Sequence, residues 1–291
     1  MTIKLRNRLN IAFLIISILV CLVEAGLITF KLITKNYTLP ELYFTTEPSE
    51  FFLFKYNVLY VYIGIIFLVL YTITTSIYVW LGFEKTQSSE VVYILLFLAS
   101  FLFDSCRILV PFYYSDGPHS NFIFTLGTCT LLARILAPMA LLSLNIFTSE
   151  EERQNTERNL LMIFVCAMTF AFFIPLNTSK IYSNFTIYYS FYKALISTSV
   201  TIIVLTIFVN FIKQLKNKGS QGITIGYGLL SFGYLITYDS SNLLKLVSGC
   251  SFMIIGTIIY LKSLHNSYMF EMQMLLSYTT EYFVLQMFPA S

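Results

Sequence analysis

Apolar runs of about 20 residues recur along the chain, separated by short stretches where Lys, Arg, Glu, Asn, Pro or Gly gather. At 1.5 Å of rise per helical residue, each run matches a hydrocarbon core roughly 30 Å thick. They predict eight spans, at about 10–33, 58–82, 91–113, 121–147, 159–176, 188–212, 222–240 and 246–264. The last two meet at Asp239-Ser240-Ser241-Asn242 and Lys245, which leave room only for a tight reversal, and reading them as one segment gives a seven-span alternative. The fold class is all-α: a polytopic membrane bundle over residues 1–264, then a cytoplasmic tail at 265–291. Residues 268–288, YMFEMQMLLSYTTEYFVLQMF, suit a helix with apolar residues around most of its circumference, able to lie on the membrane or pack on a partner or second copy. No internal repeat stands out.

Composition removes the soluble classes, since 57% of residues are hydrophobic and 11% charged, against about 25% charged in soluble domains. Net charge is +3, from 18 Lys and Arg against 15 Asp and Glu, and supplies no basic field for nucleic acid. Cys21, Cys106, Cys129, Cys166 and Cys250 all fall in apolar runs without paired spacing and read as small buried hydrophobes. With His119 and His265 the only histidines, no metal site or cofactor is expected. Walker, GxSxG, HExxH and Gly-Asp motifs are missing, so the chain does not read as an enzyme. Asp239 and Lys245 are six apart, too far for the one-turn spacing of a retinal site.

Orientation follows from Lys and Arg, which favour the cytoplasmic side. An inside N-terminus with eight spans puts Lys4, Arg6, Arg8, Lys85, Arg153, Arg158, Lys213, Lys216, Lys218 and Lys262 in the cytoplasm. Lys31, Lys35, Lys55, Lys180 and Lys245 face the other side. Both termini are then cytoplasmic. The longest outer segment, 34–57, carries Glu41, Glu47 and Glu50, and on the inside Thr148–Arg153 resembles a capped helix start.

Six ionisable residues fall within the spans: Glu24, Asp104, Arg107, Arg134, Lys193 and Asp239. Each costs roughly 2.5–3.5 kcal/mol on insertion scales, so each is expected to face protein or water and find a partner. Under the assigned topology all six lie between mid-membrane and the outer surface, while the inner halves carry none. That asymmetry predicts a polar ligand-binding pocket opening outward, in which Asp104, Arg107 and Arg134 converge with Glu24 adjacent. Two arginines can form a bidentate fork for a carboxylate or phosphate; the same charges also serve as glue between helices. Lys193 sits near a span end and can snorkel. Tyr56, Tyr60, Tyr62, Tyr113, Tyr114, Tyr182, Tyr188, Tyr189 and Tyr192 concentrate near the outer boundaries, as an interfacial belt does, with a minority available to line the pocket.

Residues 101–144, FLFDSCRILVPFYYSDGPHSNFIFTLGTCTLLARILAPMALLSL, pair a span ending in an aspartate segment with a glycine-bearing outer loop and a next span carrying Ala-Arg. This stretch resembles bacterial MASE (membrane-associated sensor) domains of the third type, with Asp104, Gly117, Ala133 and Arg134 at matching positions. It departs from them where Arg107 stands near an expected histidine and Thr130 replaces an expected tryptophan. The resemblance implies an eight-helix sensory front end in the bacterial inner membrane, acting through its C-terminus or a partner. Transporter or channel subunit, and structural subunit of a membrane complex, are the alternative classes.

Overall fold

The computed structural model describes residues 2–34, 42–43, 51, 53–84, 88–114, 117, 119–147, 156–216 and 221–287, with side chains placed as far as Ile212 in the sixth helix and Met269 in the last. Glu41, Glu47, Glu50, the 148–153 segment, Lys35, Lys85 and Lys218 lie outside the described residues. Eight helical rods form among the described residues. They are α1 (Ile3–Thr34), α2 (Val58–Phe83), α3 (Glu90–Ser105, prolonged by a 3-10 turn Cys106–Leu109 and a last turn Val110–Tyr113), α4 (Asn121–Ile146), α5 (Thr156–Phe173), α6 (Tyr192–Lys216), α7 (Gln221–Thr237) and α8 (Leu243–Met287). Seven are long and apolar enough to cross a membrane. The eighth, α7, has 17 residues, about 25 Å of rise. It is shorter than the span expected over 222–240 because the backbone turns at Tyr238 and Asp239.

Helix starts follow from local chemistry. The Asn57 side chain accepts the Leu59 amide at 2.9 Å, and the Ser120 hydroxyl accepts the Ile123 amide at 3.3 Å, each satisfying an orphan donor at a helix N-terminus. Buried hydroxyls inside the rods return to their own helix: Thr72 to Leu68 O, Thr130 to Leu126 O and Thr237 to Gly233 O. α3 and α4 form the centre, packed through Phe97, Phe101, Leu131, Leu136 and Ala137. The apolar window of α3 is 83% buried against 11% for α1, so the outer helices present the apolar faces that a bilayer would cover.

α7 and α8 are the most intimately packed pair, and glycine makes that possible. A Cβ on Gly226 would fall 2.4 Å from Tyr260 N, one on Gly233 2.6 Å from Met253 N and one on Gly256 2.4 Å from Leu230 N. Backbone therefore lies against backbone along this seam, as small residues allow between apolar helices.

Spans five and six were expected to end at 176 and begin at 188, but the helices stop at Phe173 and resume at Tyr192. Between them lies an antiparallel hairpin, β2 (Leu176–Tyr182) and β3 (Ile187–Tyr189), and the short β1 (Leu42–Tyr43) adds to β2 in parallel, with Leu42 opposite Ile181 and Tyr43 opposite Tyr182. The hairpin turn runs through Phe185 at φ +64°, a left-handed conformation unusual for a bulky residue. Phe185 is buried and its ring lies 4.8 Å from that of Tyr62, so packing holds the turn. Ile181, Phe185 and Ile187 cover Ile108, Leu109, Ile123 and Leu126, closing one end of α3 and α4. At this same end the Asn57 amide donates to Ser241 O, and Tyr56 OH donates to Ser183 O at 2.9 Å. The start of α2, the hairpin turn and the α7–α8 turn are thereby tied together.

Candidate functional site

The site begins with two prolines. Proline offers no N–H, and its ring crowds the carbonyl four residues earlier. In α3 that carbonyl belongs to Arg107, four before Pro111; in α4 it belongs to Arg134, four before Pro138. The segments read Arg-Ile-Leu-Val-Pro and Arg-Ile-Leu-Ala-Pro, the same local spacing of arginine and proline in two helices. In α3 the Val110 amide bonds Arg107 O in place of the missing proline donor, and the chain tightens to a 3-10 turn at Cys106–Leu109. Asp104, at the end of the α-helical part, and Arg107, in the 3-10 turn, are three apart, a spacing that sets neighbours on one helix face.

Asp104 Oδ2 lies 3.1 Å from Arg107 Nη2, and Asp104 Oδ1 lies 3.5 Å from Arg134 Nε. The structure thus brings Asp104, Arg107 and Arg134 into one cluster, with the guanidiniums of Arg107 and Arg134 at 0% and 1% exposure. Arg107 Nη1 donates to the backbone carbonyl of Asn184 in the hairpin turn at 3.2 Å. The Arg134 guanidinium carbon sits 3.7 Å from the centroid of the Tyr238 ring, a close cation–π contact, and Nη2 makes a long bond of 3.5 Å to Tyr238 O. Tyr238 OH is 3.1 Å from Tyr189 OH. Burial holds the Tyr189 phenol well above its usual range, reinforced by Tyr238 and opposed by Arg134, so it stays protonated.

Glu24 comes alongside rather than into the cluster. It is buried and accepts the hydroxyl of Ser105, the neighbour of Asp104, at 2.7 Å. Asp239 lies near enough to act on Arg107, yet its carboxylate is taken by Lys245 Nζ at 2.7 Å, and both partners are over a third exposed. Lys193 is exposed at the start of α6 and forms no ion pair among the described residues. Its depth matches the others, but depth along a span says nothing of which way round the helix a side chain points.

Four guanidinium nitrogens, Arg107 Nε and Nη2 and Arg134 Nε and Nη1, have no hydrogen-bond acceptor among the described residues, and neither Asp104 Oδ1 nor Asn184 Nδ2 has a partner. The two close approaches to Asp104 are ionic contacts poorly aligned as hydrogen bonds. Beside Arg134 a narrow cavity is lined by Leu68, Ser100, Phe101, Asp104, Ala133, Tyr234, Thr237 and Tyr238, with room for about one water molecule. A roomy pocket open to the outside, as expected from the charge pattern, is therefore not what stands here. The hairpin lies across Arg107, and the cavity walls are buried or half-buried.

Sequence reasoning missed Tyr238, which reads as one tyrosine among 21; its place beside Asp239 at the end of α7 was the available sign. Charge is also buried at the opposite end, where the inner halves were expected to hold none. Arg6 there donates to the carbonyls of Phe83 and Ser88, closing the C-terminus of α2, and buried Glu90 accepts from Tyr268 OH of α8. α1 starts at Ile3 and α3 at Glu90, just beyond the predicted span edges, so these charges had been assigned to loops. Lys31, expected to face the outer side at the end of the first span, is buried within α1, 4.7 Å from the centre of the Tyr113 ring.

No family model, no curated protein and no solved structure matches this chain.

Proposed function

We propose that the chain is an integral protein of a bacterial inner membrane, both termini cytoplasmic, that binds a small ligand at the Asp104, Arg107 and Arg134 cluster and passes its state to the C-terminal helix. The observation that carries the reading is the pair of fully buried guanidiniums sharing one carboxylate, with four nitrogens lacking acceptors. Buried charge of this kind is expensive as mere glue, because hydrophobic replacements of similar volume are often as stable. A route outward from the site also exists. Tyr238, stacked on Arg134, directly follows the last residue of α7, and α7 lies backbone to backbone on α8. Topology agrees, since Arg6 of α1 and Tyr268 of α8 meet the same α2–α3 corner, which an even number of crossings requires. The partial likeness to MASE sensor domains over 101–144 points the same way. The partners are the bilayer, the ligand, and a second copy or signalling protein held through 265–291; no nucleic acid and no catalysis are involved.

A second reading, a small-anion carrier, is favoured by the buried Arg6 and Glu90 at the opposite end, which supply a polar station on the inner side. Purified protein in liposomes separates the two. A panel from halides through formate and acetate to amino acids is tested for uptake and for thermal stabilisation, with Arg134→Ala as control. Stabilisation without flux, lost in the variant, supports the receptor. Saturable flux abolished by the variant establishes the carrier, and a panel without effect leaves a structural subunit.

A further inference from the structure

Resting on the receptor reading, the geometry points to the class of ligand: a monatomic monovalent anion, a halide, seated against Arg134 in the cavity between α3, α4 and α7. Charge is the first argument. Among the ion-paired groups, two guanidiniums share Asp104 and the nearby Asp239 is neutralised by Lys245, while Glu24 accepts from the neutral Ser105 and pairs with neither guanidinium. That leaves one positive charge in excess where almost no water reaches, a state that burial penalises heavily unless a counter-charge enters. The second argument is donor capacity. Ser100 and Thr237, which line the cavity, already donate to their own helices, to Phe97 O and Gly233 O, and Tyr238 OH meets Tyr189 OH. Arg134 Nε and Nη1 remain, both donors only, so the site asks for an acceptor.

Size is the third argument and excludes organic ligands of any bulk. With space for about one water beside Arg134, the site takes a single monatomic anion and leaves no room for a polyatomic ligand. A bridging water could satisfy Arg134 and Asp104 as hydrogen-bonding atoms, but it leaves the excess charge unmatched. Asp104 thus acts as a built-in competitor: its carboxylate is stretched between the two guanidiniums at 3.1 and 3.5 Å, and an entering anion takes over part of its role.

The test uses the full chain in nanodiscs of zwitterionic lipid, in gluconate buffer at constant ionic strength. Chloride, bromide, nitrate, formate, acetate and sulfate are titrated while thermal unfolding is followed. Chloride and bromide should each raise the midpoint saturably by several degrees; nitrate, formate, acetate and sulfate should not. Arg134→Gln should abolish the effect, and Asp104→Asn, which removes the competing charge, should shift half-saturation about tenfold or more to lower concentration. If Arg134→Gln does not fold, chloride-35 line broadening on the wild type, displaced by bromide and unaffected by acetate, gives the same answer. A rise that never saturates or that persists in Arg134→Gln overturns the proposal, as does an absence of line broadening. Arg134-dependent stabilisation by nitrate, formate, acetate or sulfate but not by halides also overturns it, and leaves the receptor reading intact. No stabilisation by any of the six overturns it as well, and the receptor reading then stands or falls with the wider panel above.

Discussion

Gly256→Ala should destabilise the protein although alanine is the better helix former. The ideal Cβ at this position falls 2.4 Å from Leu230 N and 2.9 Å from Gly226 O, where ordinary contact begins at 3.4 Å. Both obstacles are backbone, so no side chain can swing aside, and α7 and α8 must part by about 1 Å at the seam where Gly226 and Gly233 also touch. Overpacking of this kind costs about 1–3 kcal/mol, and rigid backbone places it at the upper end. Against it stands about 1 kcal/mol of helix propensity. The net loss is then about 2 kcal/mol, or roughly 4–8 °C in the unfolding midpoint for a chain of this size. Gly228→Ala is the matched control, in the facing helix α7 with nothing within 4 Å of the new methyl; there the propensity term acts alone and the midpoint should rise. Thermal unfolding of the purified variants in detergent decides it. A Gly256→Ala protein as stable as the parent would show that the seam is loose and sink the route from Tyr238 to α8.

Three further outcomes follow from the same contacts. Asp104→Ala leaves two buried guanidiniums without their shared carboxylate and should cost about 3–5 kcal/mol, read by denaturant unfolding; adding Arg107→Met should recover part of the loss, and strictly additive losses would deny the ion pair any coupling. The Tyr56 phenol, outside the helices, is pushed up to about 12, chiefly by burial and then by Tyr62 and Asp239. A group raised in this way stabilises the fold fully below its unfolded pKa near 10 and loses that contribution as pH climbs to about 12. The stability gap between wild type and Tyr56→Phe should therefore be constant up to pH 10 and shrink above it, whereas a gap flat to pH 12 contradicts the burial. Reporter fusions after Lys218 and at Ser291 should both give cytoplasmic signals, and an outside signal at Ser291 would remove α7 as a crossing.

Much of the fold was legible because its main determinant is local. Runs of apolar residues declare helices, all eight rods fall on the predicted runs, and seven of them are long and apolar enough to cross a membrane. The hairpin was not legible as part of that pattern. Leu176–Tyr189 is too polar for a span and was divided between a loop and two helix ends, although Thr178, Ile181, Tyr182, Ile187 and Tyr189 carry the β-branched and aromatic character of strands. In the site, the gathering of Asp104, Arg107 and Arg134 was foreseeable from the expense of leaving any of them unpaired. The stacking of Tyr238 and the Asn184 carbonyl were not, since both depend on turns that arrive from distant parts of the chain. Lys193 failed for a related reason, as nothing in a lone sequence fixes the azimuth of a residue in a helix that is apolar on every side.

The last helix gives the site mechanical reach. α8 runs unbroken for 45 residues, close to 68 Å at 1.5 Å per residue, more than twice the roughly 30 Å thickness of a hydrocarbon core. Pivoted at its Leu243 end, beside Tyr238, a rod of that length turns a tilt of about 5° into a sweep of about 6 Å at its far tip. A displacement at Arg134 too small to open a channel would thus arrive at the far end as a lever stroke about as wide as one helical turn is long.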